Sequence, residues 1–227
     1  MISNIHKKEN TLYKKYENIL NWVKDGVVNE ENYKKANVKV LYILKEANGG
    51  KNKTWQDKGS KNGDLRNYLN KHANRWQTWN NVVRWQYGIE NLNNDDSWKQ
   101  VFRVKPNFRK EYLRHTAVIN LKKLAGNQDS NMNEILKHAN VNKELLKQQI
   151  ALYQPNIVIC GGTGNIVKEI GLFEGLDKWE KSERGVFYYT AKNKTIIVSY
   201  KHPGAREAKN KMFFDIIKTI KEAKSTE

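Results

Sequence analysis

Apolar residues recur along the chain with two different spacings, which predict helices alternating with short strands. Near the N-terminus, five apolar residues at helical spacing predict an amphipathic helix over residues 7–24: Leu12, Tyr16, Ile19, Leu20 and Val23. Three short, nearly continuous apolar runs, which are typical of buried parallel strands, occupy residues 38–44, 116–121 and 156–160. This alternation predicts an α/β fold with a mainly parallel sheet.

The C-terminal part of the chain continues the pattern. Residues 186–190 and 195–199 predict either a hairpin around Lys192 and Asn193 or a turn between successive strands. Residues 207–223 predict a closing amphipathic helix. The pattern shows neither an internal repeat nor a linker long enough to require a boundary, so we expect a single domain over residues 1–227.

Aromatic and basic residues are concentrated between residues 64 and 100. Trp76, Trp79 and Val83 fall on one face of a helix, which predicts a helix that packs its tryptophans into the core. A later helix is predicted to begin after Asn131, because its spacing from Glu134 is that of a capping box.

The chain is strongly basic. It carries 41 Lys and Arg residues against 24 Asp and Glu residues, which gives a formal charge of +17 and a pI of about 9.7. A positive field of this size favours polyanions, with nucleic acid ahead of an anionic membrane surface as the expected partner. The alternative is a compositional bias in which lysine only solvates the surface.

Cysteine and histidine usage argues against disulfides and metal sites. The one cysteine, Cys160, lies inside an apolar run, so no intrachain disulfide is possible and a reducing compartment is expected. The five histidines lack metal-ligand spacing, and we expect no metal and no cofactor. The polar residues 1–10, and apolar stretches far shorter than the roughly 18 residues of a membrane span, predict a cytoplasmic protein with no membrane partner.

Polar residues follow each predicted strand. They occupy residues 46–49, 120–123, 161–163 and 200–204. Ligands of open parallel sheets bind beyond the carboxyl ends of the strands, so we expect these groups to face one crevice.

Four of these regions, in this order, resemble motifs of the uracil-DNA glycosylase superfamily. Residues 41–49, Leu-Tyr-Ile-Leu-Lys-Glu-Ala-Asn-Gly, resemble its first motif, a strand ending in Gly-Glu-Ala-Pro-Gly. Residues 117–123 resemble its second strand, which carries an asparagine and a downstream basic residue. Residues 154–161 resemble its Gln-Pro-x-Val-Ile-Val-x-x-Gly strand, and residues 199–206 its late His-Pro-Ser motif with a trailing arginine. The chain departs from these motifs at Lys45, Asn48 and Gly204, where the superfamily has glycine, proline and serine.

The resemblance implies both a fold and an activity. The fold would be a three-layer α/β/α sandwich around a central, mainly parallel sheet of four to five strands. The activity would be that of a hydrolase that removes uracil or a related damaged base from DNA, as in base-excision repair. The DNA would be single-stranded or a damaged duplex, and the branch of the superfamily with an iron–sulfur cluster is excluded because the chain has too few cysteines.

The resemblance also implies roles for the residues at the base. Asn120 would bind the Watson–Crick edge of a flipped base, because an amide offers both a donor and an acceptor. His202 would donate to a base oxygen as negative charge develops on the leaving group. Glu46 and Asn48 would orient or activate the attacking water.

The remaining candidates would hold the base and the phosphates. Ala47 and Gly49 would lie beside the base, and Trp55 would stack on it. Four residues would contact backbone phosphates: Lys122, Lys201, Arg206 and Thr163.

Each of these groups also has a purely structural interpretation. Glu46 could pair with Lys45 at the surface, Asn120 could cap a turn, and His202 with Pro203 could form only a rigid turn. Residues 161–164 could be a tight strand-to-helix turn. Two other functions therefore stay open: a non-catalytic binder of single-stranded or modified nucleic acid, and an enzyme acting on a nucleotide held at the glycine-rich turn.

Overall fold

The structure is a computed structural model, and it describes residues 4–16, 18–19, 21–48, 63–71, 76–126 and 129–225. The helices in these ranges are α1 (Ile5–Tyr13), α2 (Glu30–Lys35), α3 (Leu65–Lys71), α4 (Gln77–Glu90), α5 (Ser97–Val101), α6 (Pro106–Arg114), α7 (Met132–Val141), α8 (Lys143–Tyr153), α9 (Gly164–Glu169) and α10 (Lys209–Ser225). A single 3-10 turn, Lys14–Tyr16, follows α1. No helix in the described ranges combines the length and apolar character that crossing a membrane requires.

The strands alternate with these helices along the chain. They are β1 (Val23–Lys24), β2 (Gly26–Val27), β3 (Val40–Leu44), β4 (Gly63–Asp64), β5 (Thr116–Asn120), β6 (Ile157–Gly161), β7 (Glu180–Lys181), β8 (Phe187–Thr190) and β9 (Ile196–Tyr200). The class is therefore α/β, as the sequence pattern predicts.

The main sheet of the described residues has the strand order β2-β5-β3-β6-β9-β8-β7, and β1 pairs separately with β4. The four central strands, β5, β3, β6 and β9, are parallel. Antiparallel pairing adds β2 at one edge and β8 and β7 at the other. These additions bring the sheet to seven strands, more than the four to five predicted. Strands of two residues, such as β2 and β7, contain no apolar run long enough to be recognised in the sequence.

Alternate side chains of the central strands pack against opposite faces of the sheet. In β3, Tyr42 and Leu44 belong to one apolar cluster with residues of α4 and α10, whereas Leu41 and Ile43 belong to a second cluster with residues of α7 and α8. Because both faces are covered, every residue of β3, β5 and β6 is buried. This burial is the reason for the continuous apolar runs in the sequence.

The N-terminal helix is shorter than the predicted 7–24. Asn21 has a φ of 62°, a left-handed conformation that is incompatible with a continuing α-helix. After it the chain is extended: the Val23 N–H donates to the Lys123 carbonyl over 2.8 Å, and β2 pairs with β5. Val23 therefore lies outside the helix, because tertiary pairing with the segment after β5 outweighs the local helical periodicity.

Two local predictions are confirmed by the structure, and a third is confirmed in part. The Asn131 side chain accepts hydrogen bonds from the Asn133 and Glu134 N–H groups at the start of α7. Strands β8 and β9 form the hairpin alternative. Trp79 and Val83 are buried on α4, whereas Trp76 precedes the helix and is 43% exposed.

Candidate functional site

A cavity of about 100 Å³ lies at the carboxyl ends of β3 and β5. Its lining consists of Leu44, Glu46, Ala47, Asn48, Leu65, Tyr68, Trp76, Thr78, Trp79, Asn120 and His202. A larger hollow of about 620 Å³ opens at the opposite, amino ends of β6 and β9, beside Pro155, Asn156 and Thr195. None of the predicted site residues in the described ranges lines that larger hollow, so the smaller cavity is the candidate site.

The sheet register explains how distant residues reach this cavity. Leu44 at the end of β3 pairs with Asn120 at the end of β5, so the residues after β3 lie beside Asn120. His202 follows β9, on the other side of β6. Helix α3 and the beginning of α4 contribute the aromatic wall. The predicted crevice at the carboxyl ends of parallel strands is thus present.

A hydrogen bond from its backbone N–H holds Asn120 in place, and the N–H donor of its side chain has no partner among the described residues. The residue is 2% exposed, and its backbone N–H donates to Asp25 Oδ2 over 2.8 Å. The side-chain Nδ2 is buried and has no hydrogen-bond acceptor among the described residues. Leaving such a group unpaired costs about 1–3 kcal/mol, so a ligand that supplies an acceptor would regain this energy.

His202 is set up as a neutral hydrogen-bond donor. The backbone N–H of Gly204 donates to its Nδ1 over 3.0 Å, so Nδ1 acts as the acceptor and the neutral ring carries its proton on Nε2. Burial, together with the nearby Lys45 ammonium, lowers the pKa of His202 to about 4. The imidazole is therefore uncharged at neutral pH.

The loop that carries His202 is fastened to α4. The Asn81 side chain donates to the Pro203 carbonyl over 2.7 Å, and the Gln77 side chain donates to the Ala205 carbonyl over 2.6 Å. These two bonds fix the backbone on both sides of Gly204. The turn is rigid, as one structural alternative expected, and that rigidity also orients the imidazole at the cavity.

Glu46 is buried and forms an ion pair with Lys122. The Lys122 ammonium lies 2.8 Å from Glu46 Oε2 and 3.2 Å from Glu134 Oε2. Burial disfavours the charged amine, but the two carboxylates outweigh that effect and raise the pKa of Lys122. The Glu46 side chain is only 4% exposed, so the alternative of a surface pair with Lys45 is wrong.

Gly126 allows the Glu46 carboxylate to pack directly against the backbone. A Cβ at Gly126 would lie 1.9 Å from Glu46 Cδ, so any side chain there would displace the carboxylate. The Gly126 N–H donates to the Ala47 carbonyl over 2.8 Å, and Asn48 forms a parallel bridge with Gly126. The segment after β5 therefore supports the segment after β3.

The predicted phosphate-binding residues have different surroundings. Lys201 and Arg206 are exposed, and Lys201 pairs with Glu207. The Thr163 hydroxyl is buried and donates to the Ile43 carbonyl over 2.8 Å, so it is engaged within the fold. Lys122 is engaged by Glu46 and Glu134 as described above. Contacts between these four residues and phosphate stay a prediction.

Two predicted residues, Gly49 and Trp55, lie outside the described residues. Among the described residues, the aromatic wall of the cavity comes from Tyr68, Trp76 and Trp79, which the sequence pattern did not single out for the site. The Tyr68 and Trp76 rings lie 6.4 Å apart, and Trp76 is the exposed member. The aromatic content of residues 64–100 was the available signal, but a helical face explained it equally well.

Residues 161–164 form a strand-to-helix turn between β6 and α9. The Gly162 N–H donates to the Tyr200 carbonyl over 2.7 Å, and this residue has a φ of 72°, which glycine adopts without strain. The turn thus serves the packing of the strand ends.

Neither comparison, with protein-family models or with curated protein sequences, found a match to this chain.

Proposed function

We propose that this protein is a DNA glycosylase-like hydrolase that cleaves the N-glycosidic bond of uracil or a related damaged base in DNA. The observation that carries the proposal is the convergence of Glu46, Asn120 and His202 on one aromatic-walled cavity. These residues come from three separate chain segments, and each supplies a group that base excision requires.

Base recognition would fall to Asn120 and the aromatic wall. The buried Nδ2 of Asn120 lacks an acceptor, which a carbonyl oxygen of a flipped base would provide. Tyr68, Trp76 and Trp79 offer ring faces to the base or to its neighbour in the strand. Stacking of this kind contributes about 1–3 kcal/mol per base in single-strand binders.

Stabilisation of the leaving group would fall to His202. As the bond between C1′ and the base nitrogen breaks, its electron pair moves to the base and negative charge builds on the base oxygens. The Nε2–H of the neutral His202 imidazole would donate a hydrogen bond to one of these oxygens. The Gly204 N–H on Nδ1 keeps this tautomer in place.

Glu46 would act on the sugar side of the reaction. The sugar gains positive charge as the base departs, and a carboxylate nearby stabilises that charge and orients the water whose oxygen bonds to C1′. The proton that this water gives up would end on the base anion, so that the free base leaves neutral. The Lys122 ammonium, 2.8 Å from Oε2, fixes the direction of the Glu46 carboxylate.

The overall charge supports a nucleic-acid substrate. The formal charge of +17 favours a polyanion, and the exposed Lys201 and Arg206 flank His202 in the chain. The α/β/α layering implied by the resemblance belongs to the same proposal, and it is supported by apolar clusters on both faces of the sheet.

One observation favours a second candidate, a non-catalytic binder of single-stranded or modified nucleic acid. Glu46 is held in a buried ion pair, and Lys122 occupies one of the two carboxylate oxygens that a water would need. A binder would keep base recognition through Asn120 and the aromatic wall, and would release no base.

The test is base release from a uracil-containing single-stranded oligonucleotide. We expect release by the wild-type chain and its loss in His202→Ala and Asn120→Ala. His115→Ala is the matched control, because His115 is half-buried and pairs with Glu90 at the far end of α4. Retained binding without release would favour the binder, and equal losses of binding and turnover in His202→Ala would contradict a transition-state role.

A further inference from the structure

Asp25 is a fully buried carboxylate at which four chain segments meet. Lys123 Nζ lies 2.7 Å from its Oδ1 and 2.9 Å from its Oδ2, and both side chains are at most 1% exposed. The Gln149 amide donates to Oδ1 over 3.1 Å, and the Tyr13 hydroxyl donates to the Asp25 carbonyl over 2.6 Å. The fourth segment is β5, whose last residue, Asn120, donates its backbone N–H to Oδ2 over 2.8 Å.

The carboxylate replaces a strand partner that the sheet lacks at this point. Strand β2 pairs with β5 through Gly26 and Val27, opposite Val118 and Ala117. The residue before β2, Asp25, is not part of this ladder, and the preceding strand β1 pairs with β4 and not with β5. No β2 carbonyl is therefore opposite the Asn120 N–H, and the Asp25 side chain supplies the acceptor.

The same junction connects two walls of the cavity. On one side Asp25 holds Asn120, which presents its amide to the cavity. On the other side, Val23 and Lys24 of β1 pair with Gly63 and Asp64. Strand β4 leads directly into α3, whose Leu65 and Tyr68 line the same cavity. A shift at residue 25 would therefore move both walls relative to each other.

Burying the Asp25–Lys123 ion pair costs desolvation free energy, which a purely structural contact between chain segments would not require. Burial lowers the pKa of Lys123, and the Asp25 carboxylate opposes that shift. A buried pair of this kind is often no more stabilising than apolar residues of similar volume. What an apolar substitute cannot provide is a fixed acceptor for the Asn120 N–H.

We propose that Asp25, held by Lys123, is a positioning residue that sets the place of Asn120 in the cavity. It does not touch the reacting atoms. Its effect on turnover rests on the proposed function, whereas its effect on the Asn120 backbone does not.

Two double variants separate anchoring from folding. Asp25→Asn alone would leave the Lys123 ammonium buried and unpaired, so each variant also carries Lys123→Met, which keeps volume and removes the charge. Asp25→Asn with Lys123→Met retains a side-chain oxygen that accepts from Asn120. Asp25→Ala with Lys123→Met removes it. Glu90→Gln is the control, because this carboxylate pairs with Gln86 and His115 at the far end of α4.

We expect the alanine double variant to lose about ten- to a hundredfold in kcat/KM, since misplacement of about 1 Å has effects of this order. In the alanine double variant, the backbone N–H of Asn120 should exchange its hydrogen with solvent at least about tenfold faster than in the wild-type chain. One power of ten corresponds to about 1.4 kcal/mol. The asparagine double variant and Glu90→Gln should stay near wild type in both measurements. Wild-type turnover in a folded alanine double variant would overturn the proposal.

The hydrogen exchange distinguishes this proposal from the proposed function. If the wild-type chain releases no base, the proposed function fails, and unchanged exchange at Asn120 in the alanine double variant would still overturn the positioning role. If that variant does not fold, exchange in the wild-type chain decides. A backbone N–H of Asn120 that exchanges as fast as in an unstructured peptide would contradict the anchor, and one that exchanges slowly supports it.

Discussion

Lys45 and His202 both lie beside Gly162, on the side where a side chain would point. A Cβ at Gly162 would lie 3.3 Å from Lys45 Cε and 3.4 Å from His202 Cβ. Lys45 is one of the positions at which the chain departs from the motifs it resembles. Its positive charge disfavours protonation of the imidazole, and it thereby contributes to the neutral state of His202.

Replacing Lys45 should therefore raise the pKa of His202. In Lys45→Met the cation is gone while burial, the larger cause, persists, so the pKa should move upward from about 4 and stay below its ordinary value. NMR titration of the His202 ring protons measures this shift. Lys201→Met is the control, because Lys201 adjoins His202 in sequence but pairs with Glu207. An unchanged pKa in Lys45→Met would disprove the coupling.

The low pKa of His202 also predicts that acid destabilises the folded protein. The unfolded imidazole takes up its proton near pH 6.5 and the folded one near pH 4, so the unfolded state binds more protons between these values. The free energy of unfolding should fall as the pH drops through this window, by up to about 3 kcal/mol. Denaturant unfolding of wild type and His202→Gln at both ends of the window measures this contribution, which the variant should lack.

His115 provides a contrast of opposite sign. Its hydrogen bond with Glu90 raises its pKa above 6.5, so it stabilises the fold at acidic pH and that stabilisation is lost as the pH rises through the folded pKa. His115→Gln should therefore make the loss of stability on acidification larger, whereas His202→Gln makes it smaller. The same pH dependence in both variants would show that the two environments are not as described.

The pair formed by Glu46 and Lys122 should be important for stability as well as activity. Lys122→Met leaves the Glu46 carboxylate buried without its cation, which costs about 3–5 kcal/mol for a fully buried pair and less here because Lys122 keeps 11% exposure. Unfolding in urea measures the loss. Lys137→Met, an exposed lysine beside the same region, should change stability little.

A double variant separates the two roles of that pair. Glu46→Gln with Lys122→Met removes both charges, so most of the stability should return while base release stays lost. Recovery of base release together with stability would mean that Glu46 takes no part in the chemistry.

Trp76 should contribute to ligand binding with little effect on stability. The ring lines the cavity and is 43% exposed, so its removal takes away a surface for stacking but little of the core packing. Trp76→Ala should weaken binding of a single-stranded oligonucleotide by about 1–3 kcal/mol in fluorescence anisotropy. Phe102→Ala is the matched control, because Phe102 is also an exposed aromatic, at 57%, and lies away from the cavity lining. Equal effects of the two substitutions would argue against a specific stacking role.

Local patterns in the sequence were sufficient for the central strands and for the residues that follow them. Continuous apolar runs marked β3, β5 and β6, because strands covered on both faces need no polar side chains. The positions of Glu46, Asn120 and His202 then followed from a general property of parallel sheets, whose carboxyl ends share one edge. The structure places these three residues at one cavity.

Other features depended on partners far away in the chain. The predicted helix over residues 7–24 was wrong after Tyr16, because residues 22–27 pair with the segment around β5, and such pairing leaves no local periodicity to recognise. The short helices α3, α5 and α6 were also missed, and so was the aromatic wall that α3 and the beginning of α4 form. Their apolar residues serve the core and the cavity at once, so composition alone does not separate the two uses.

Local patterns in the sequence specify the α/β class, the central strands and the polar groups at their ends, because these depend on the period and length of apolar runs. The folded chain is needed to show that Lys122 pairs with Glu46, that Gly204 sets the tautomer of His202, and that Asp25 holds Asn120. The physical reason is that a hydrogen bond or a buried charge pair depends on distance and direction in space, and spacing along the chain specifies neither until the strands are in register.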